Sequence, residues 1–189
     1  MNNDKGKFGH ILVIYHSKDG HTKKMAEYVA EGSSEIPIME IKIKSINEAN
    51  KDDIYWADGI AAGSPTQLGT VSVEMKKFWE DLLPEWQKID GKIGCAFSSE
   101  GGWGGGAELT CQALLTIMMN YGFLVFGVTD YVGKQFTLHY GATQAGEPRE
   151  EKEIASCRRL GRRLAEWVAM YCCGRKEYNP LKGDYLRQY

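Results

Sequence analysis

The sequence predicts a three-layer α/β domain, a parallel sheet with helices on both faces. Short apolar runs recur five times, at residues 8–15, 36–43, 58–64, 92–99 and 123–128. Between them, apolar residues fall at three- and four-residue spacing, the period of a helix with one buried side. Strands that alternate with helices need crossover connections, and these lay helices over both faces of a parallel sheet.

Taken in order, residues 8–15 (FGHILVIY) are nearly all apolar, as a strand buried on both faces must be. Met25, Ala26, Val29 and Ala30 then share one helix face, with Gly32 placed as a stop. Residues 36–43 (IPIMEIKI) alternate, which suits a strand near the sheet edge, and residues 47–53 read as a short polar helix or turn. The run 58–64 ends at Pro65, and a helix follows over 71–83 with Val71, Met75, Phe78, Trp79 and Leu82 on one side. Pro84 ends it. Residues 92–99 form the fourth strand and run into the glycine-dense segment 101–106. A helix over 108–120 is apolar on most faces, and residues 123–128 (FLVFGV) form the last strand. Residues 129–149 are irregular; a connection this long in a compact domain is usually functional or disordered. A final helix over 150–171 carries Ile154, Cys157, Leu160, Leu164, Trp167, Val168 and Tyr171 as one stripe. The 189 residues therefore read as one domain with a tail over 174–189. Two strand orders fit this alternation, the Rossmann and the flavodoxin type, and periodicity does not choose between them.

A formal net charge of -2 gives no basis for nucleic acid or an anionic membrane as partner. No apolar run approaches the roughly 18 residues of a membrane span, and the N-terminal residues lack the apolar core of a signal peptide. A cytoplasmic protein is expected. Cys95, Cys111, Cys157, Cys172 and Cys173 show no CxxC pair, so neither a disulfide framework nor a metal site is expected. The first three fall in apolar patterns, as buried small hydrophobes would; Cys172 and Cys173 read as exposed thiols.

Three strands end in loops whose composition is odd for connectors, and a parallel sheet brings all three to one edge. The first is Ser17-Lys18-Asp19-Gly20-His21-Thr22. A helix N-terminus presents unpaired N–H groups and partial positive charge, which suits a phosphate, and the two hydroxyls add donors. Neither GxGxxG nor a Walker motif is present, which disfavours a dinucleotide or a P-loop nucleotide. Taken alone, the same residues would also make an ordinary helix cap and turn. The second is Pro65-Thr66-Gln67-Leu68-Gly69-Thr70, able to offer backbone groups to the edge of a flat heterocycle while Leu68 packs its face. The third is Ser99-Glu100-Gly101-Gly102-Trp103-Gly104 and the glycines after it. So many glycines are entropically expensive to order, and backbone brought against a ligand is the physical reason to keep them. Together the loops describe a mononucleotide with a planar ring, bound where ligands of such sheets bind.

Ser17-x-x-Gly20-His21-Thr22, Gly63-Ser64-Pro65-Thr66 through Gly69, Phe97-Ser98-Ser99 with its glycine run and Glu108, and Tyr140-Gly141-Ala142-Thr143 occur in an order that resembles flavodoxin-like FMN proteins. Among these the chain looks most similar to NAD(P)H:quinone oxidoreductases of the tryptophan-repressor-binding-protein type. The resemblance implies strand order 2-1-3-4-5, FMN as cofactor, its phosphate on residues 17–22 and its ring on residues 65–70 and 99–104. It also implies a dimer or tetramer in which Trp86 covers a flavin. The implied activity passes two electrons from NAD(P)H through FMN to a quinone, with no obligatory catalytic side chain. Tyr121, His139 and Tyr140 are candidate substrate contacts. The alternative is a flavodoxin-type electron carrier that does not itself oxidise NAD(P)H.

Overall fold

A computed structural model describes residues 8–133 and 136–182. In chain order its elements are β1 (Gly9–Tyr15), α1 (His21–Ser34), β2 (Met39–Ser45), α2 (Lys51–Trp56), β3 (Gly59–Gln67), β4 (Thr70–Val71), α3 (Val73–Asp81), β5 (Ile93–Glu100), α4 (Ala107–Asn120), β6 (Leu124–Val125), β7 (Val128–Gly133), β8 (Phe136–Leu138), β9 (Ala142–Ala145) and α5 (Glu151–Tyr171). The main sheet runs β2-β1-β3-β5-β6, with β9 also on β5, and these pairings are all parallel. This is the flavodoxin order, and the alternating strand β2 lies at the edge.

Alternation along each strand divides the core. Ile11, Val13, Phe97, Leu160, Leu164 and Val168 pack on the side of α1 and α5. Leu12, Ile14, Ile60, Met75, Trp79 and Leu114 pack on the side of α3 and α4. Cys95, Cys111 and Cys157 are fully buried within these layers. Burial pushes the Cys157 thiol up to about 12, so it is not a thiolate at neutral pH. Cys173 is also buried, contrary to its reading as an exposed thiol, because the chain after α5 folds back onto the core. Helices α1 and α5 approach so closely that a Cβ on Gly161 would sit 1.8 Å from the Val29 carbonyl oxygen. No helix among the described residues is long and apolar enough to cross a membrane.

Three expectations about element boundaries need correction. The helix placed at 71–83 begins at Val73, capped by the Ser72 side chain, because Thr70 and Val71 fold back as β4 against Gln67 and Thr66. Strand β3 accordingly runs past Pro65 to Gln67. Its missing N–H is tolerated there, since β1 stops at the level of Gly63 and leaves that side of β3 unpaired.

The last strand, expected over 123–128, is split. Leu124 and Val125 pair with Ile93 and Gly94, and the strand resumes as Ala142–Ala145 opposite Phe97–Glu100. The β7–β8 hairpin fills the interval. Its feet are glycines for steric reasons. A Cβ on Gly127 would lie 2.1 Å from the His139 carbonyl oxygen, and one on Gly141 the same distance from that of Ala96.

Charge fastens the hairpin to α5. Asp130, only 3% exposed, pairs with Arg159 Nε and with Arg163 Nη2, the latter at 2.6 Å. Glu166, nearly as buried, accepts from Arg159 Nη1 at 3.2 Å and Arg162 Nε at 3.0 Å. Buried charges of both signs neutralise one another here, and deleting one strands the others. Asp130→Ala should therefore destabilise the protein by about 3–5 kcal/mol in urea denaturation. Arg158→Ala, on the same helix but in an exposed pair with Glu31, should fall within about 1 kcal/mol of the unaltered protein.

Candidate functional site

The parallel alignment of β1, β3 and β5 brings the chain out at one edge three times. Side chains near these exits tie the three loops together. Thr22 Oγ1 lies 2.8 Å from Ser99 Oγ, joining the first loop to the third strand end. Thr66 Oγ1 lies 2.9 Å from Ser98 Oγ and 3.0 Å from Thr110 Oγ1, joining the second to the third. His16 Nδ1 lies 2.8 Å from Ser72 Oγ, joining the first to the second. Gly106 passes so near loop two that its Cβ would stand 3.1 Å from Gly69 Cα.

The first loop has the donors of an anion site. Helix α1 starts from Gly20, at φ 91° and with no side-chain cap, so the N–H groups of its first turn have no intrahelical acceptor. Ser17 Oγ accepts from Gly20 N at 3.1 Å, holding the turn. Thr22 is 1% exposed. His21 Nδ1 is buried without a hydrogen-bond partner. A phosphate at this helix start would meet backbone N–H groups, hydroxyls and that ring nitrogen. Lys18 and Asp19 are exposed beside it.

The second loop is the two-residue hairpin between β3 and β4. Leu68 and Gly69 have φ of 51° and 80°, the pair of positive values that a type I′ turn requires. Leucine in this conformation costs roughly 1–2 kcal/mol, yet Leu68 is fully exposed and recovers nothing by burial within the chain. The third loop leaves Gly101, Gly102 and Gly104 without neighbours where a side chain would begin. It carries Trp103, 62% exposed. Glu100 departs from its predicted place among ligand contacts. It is 5% exposed, and its Oε2 accepts the Ala107 N–H at 2.9 Å. That bond caps α4 and closes the glycine loop at its base.

The remaining predicted contacts lie elsewhere. Helices α3 and α4 run against the strand direction, so the residues after them sit at the opposite sheet edge. Trp86 donates from Nε1 to the Asn120 carbonyl at 2.7 Å, at the end of α4. Tyr121 is buried, its hydroxyl donates to the Trp79 carbonyl, and burial raises its pKa. Neither reaches the three loops within one chain. His139 and Tyr140 are exposed before β9; Ala142 pairs with Phe97, so both stand below the loop edge.

Sequence reasoning reached His16, Ser64 and Ser98 in the polar layer under the loops but missed Ser72, Thr110 and Gln144. A signal existed. Along Ile60, Ala62, Ser64 and along Ala96, Ser98, the inward-facing positions switch from apolar to hydroxyl at the last step. Gln144, fully buried beside Ser99, donates to Ser156 Oγ at 3.1 Å and leaves Oε1 unpartnered.

A family model described as a flavodoxin domain matches residues 12–92. A protein named flavodoxin from Aquifex aeolicus (strain VF5) is 62% identical over 170 residues, covering 89% of this chain and 92% of that one. A protein from Archaeoglobus fulgidus named NAD(P)H dehydrogenase (quinone) is 28% identical over 191 residues, covering 86% and 98%. The crystal structure of a flavodoxin, WrbA-like protein from Agrobacterium tumefaciens superposes with TM-score 0.70 at 25% identity, covering 86% and 99%.

Thr22→Val keeps the shape of the helix start but removes the hydroxyl that faces Ser99. FMN affinity, read by quenching of flavin fluorescence, should fall about tenfold, the equivalent of about 1.4 kcal/mol and one hydrogen bond to a charged group. Unchanged affinity would remove Thr22 from the phosphate site.

Proposed function

The chain belongs to the flavodoxin family, and on that premise we propose that it is an FMN-bearing electron carrier serving a protein partner. The observation that carries this is the 62% identity over 170 residues with a protein named flavodoxin; Leu68 and Trp103 stand at the edge where the phosphate donors lie. Bound FMN supplies electron transfer in one- or two-electron steps. Residues 17–22 would hold its phosphate through N–H groups, hydroxyls and His21. Residues 65–70 and 99–104 would flank the ring, with Leu68 and Trp103 as apolar walls and Glu100 as the brace beneath. The glycines let backbone approach the ring edge, and the unpaired donor set accounts for the uncapped start of α1.

The quinone reading draws on the relative named NAD(P)H dehydrogenase (quinone) and on the WrbA-like neighbour. Hydride transfer requires a nicotinamide held face-on against the flavin. Trp86 and Tyr121 lie at the other edge of the same chain, so an aromatic cover of that kind would have to come from a second copy in a dimer or tetramer.

Anaerobic titration separates the two. The purified yellow protein should keep its flavin absorbance with NADH or NADPH, and stepwise chemical reduction should give two well-separated one-electron midpoints. Prompt bleaching by either nicotinamide, with steady turnover once benzoquinone is added, would replace the carrier with the oxidoreductase.

A further inference from the structure

Two of the helices at the loop edge start alike. Helix α1 follows Gly20 at φ 91° and helix α4 follows Gly106 at φ 100°, and neither glycine offers a side-chain cap. Each runs for 14 residues. In each the first intrahelical bond returns to that glycine, from Lys24 N at 2.9 Å in α1 and from Thr110 N at 3.0 Å in α4. The N–H groups before it, of residues 21–23 and 107–109, have no acceptor within their own helix. Two helix starts of this kind on one edge would favour a phosphate in two places.

One of the two is already filled. Glu100 is the last residue of β5, and successive residues of a strand face opposite sides of the sheet. Ser99 faces Thr22 at the start of α1. Glu100 therefore turns to the start of α4, where its Oε2 accepts from Ala107 N at 2.9 Å. The glycine loop closes over this carboxylate, and a Cβ on Gly105 would stand 3.0 Å from the same oxygen. Asp53, Asp130, Arg163 and Glu166 are buried charges too, and each has an ion pair. Glu100 is equally buried and, among the described residues, has no cation beside it. A buried carboxylate without a cation is costly, so the positive end of α4 is its countercharge. A cap alone does not require a charge, since the hydroxyl of Ser72 serves α3. Exposed Glu108 adds a second negative charge in the first turn of α4, whereas the first turn of α1 holds no acidic residue.

We propose that Glu100 is a specificity-determining residue, a built-in anion that bars phosphate from the start of α4 and so fixes which way round FMN lies. The inference rests on the flavin reading above. With the carboxylate in place, α1 takes the phosphate and the glycine loop beside α4 is left to the ring. Without it the edge offers two anion sites, and charge no longer imposes a direction on a molecule with one phosphate and one ring.

The test is inorganic phosphate titrated into the FMN-loaded protein, in which the flavin holds the start of α1, and followed by calorimetry and phosphorus NMR. The unaltered protein should take up none. Glu100→Ala frees the Ala107 N–H and removes the charge, and should gain one saturable phosphate per chain. Glu100→Gln keeps an acceptor for that N–H and removes only the charge, so it should gain the same phosphate more weakly. Should Glu100→Ala not fold, Glu100→Gln decides alone. A variant of either kind that takes up no phosphate, or an unaltered flavin-loaded protein that takes it up as readily, overturns the role of Glu100 and leaves flavin binding standing. An unaltered protein that binds no FMN overturns the flavin reading and this inference with it.

Discussion

The parallel hydrogen bonding of β1, β3 and β5 is the constraint on which the site depends. Because Tyr15, Gly63 and Phe97 stand in one register, segments far apart in sequence leave the sheet side by side. The helix starts beyond them are pointed the same way, α3 and α4 capped by Ser72 and Glu100 and α1 with no side-chain cap. No single loop has to be unusual for a phosphate and a ring to be held together there. Hydroxyls at the strand ends then convert proximity into fixed spacing, each joining two loops through one short bond.

A second constraint acts on the far side of the sheet. The α1–α5 crossing admits no side chain at Gly32 or Gly161, so the two helices meet backbone to backbone. Helix α5 carries, on another face, the buried arginines that hold Asp130. Tight packing on one face and charge pairing on the other come from the same helix.

Much of the fold could be read from periodicity because buried strands and amphipathic helices have distinct periods. Strand β2 declared its edge position by alternating, and α5 declared its buried stripe. The turn at Leu68 could not be read so, since leucine is a poor marker for positive φ and masked a hairpin inside an expected helix start. The split of the last strand was hidden because Phe123 to Val128 is apolar almost throughout. Phe126 leaves the sheet because of the backbone at Gly127 and Gly141, not because of a change in hydrophobicity. The loops themselves were legible as glycine and hydroxyl clusters, whereas the inward role of Glu100 was not. A carboxylate beside glycines looks the same whether it caps a helix or faces a ligand. The expectation for Trp86 and Tyr121 came from likeness to a family, and within one chain they stand away from the three loops. Helix direction already assigns residues after α3 and α4 to the other edge.

The two glycine feet of the β7–β8 hairpin have a consequence for how such a chain can change. The carbonyl of His139 lies against Gly127, so the inserted segment leaves and returns at almost the same point. A loop whose ends are already closed can lengthen at little entropic cost, about 0.6 kcal/mol for each doubling. Lineages could therefore lengthen, trim or exchange this segment without disturbing the three exits at the carboxyl ends of the strands, provided an acid remains to meet Arg159 and Arg163. The interrupted strand is in that sense a graft point, set apart from the edge where the three loops emerge.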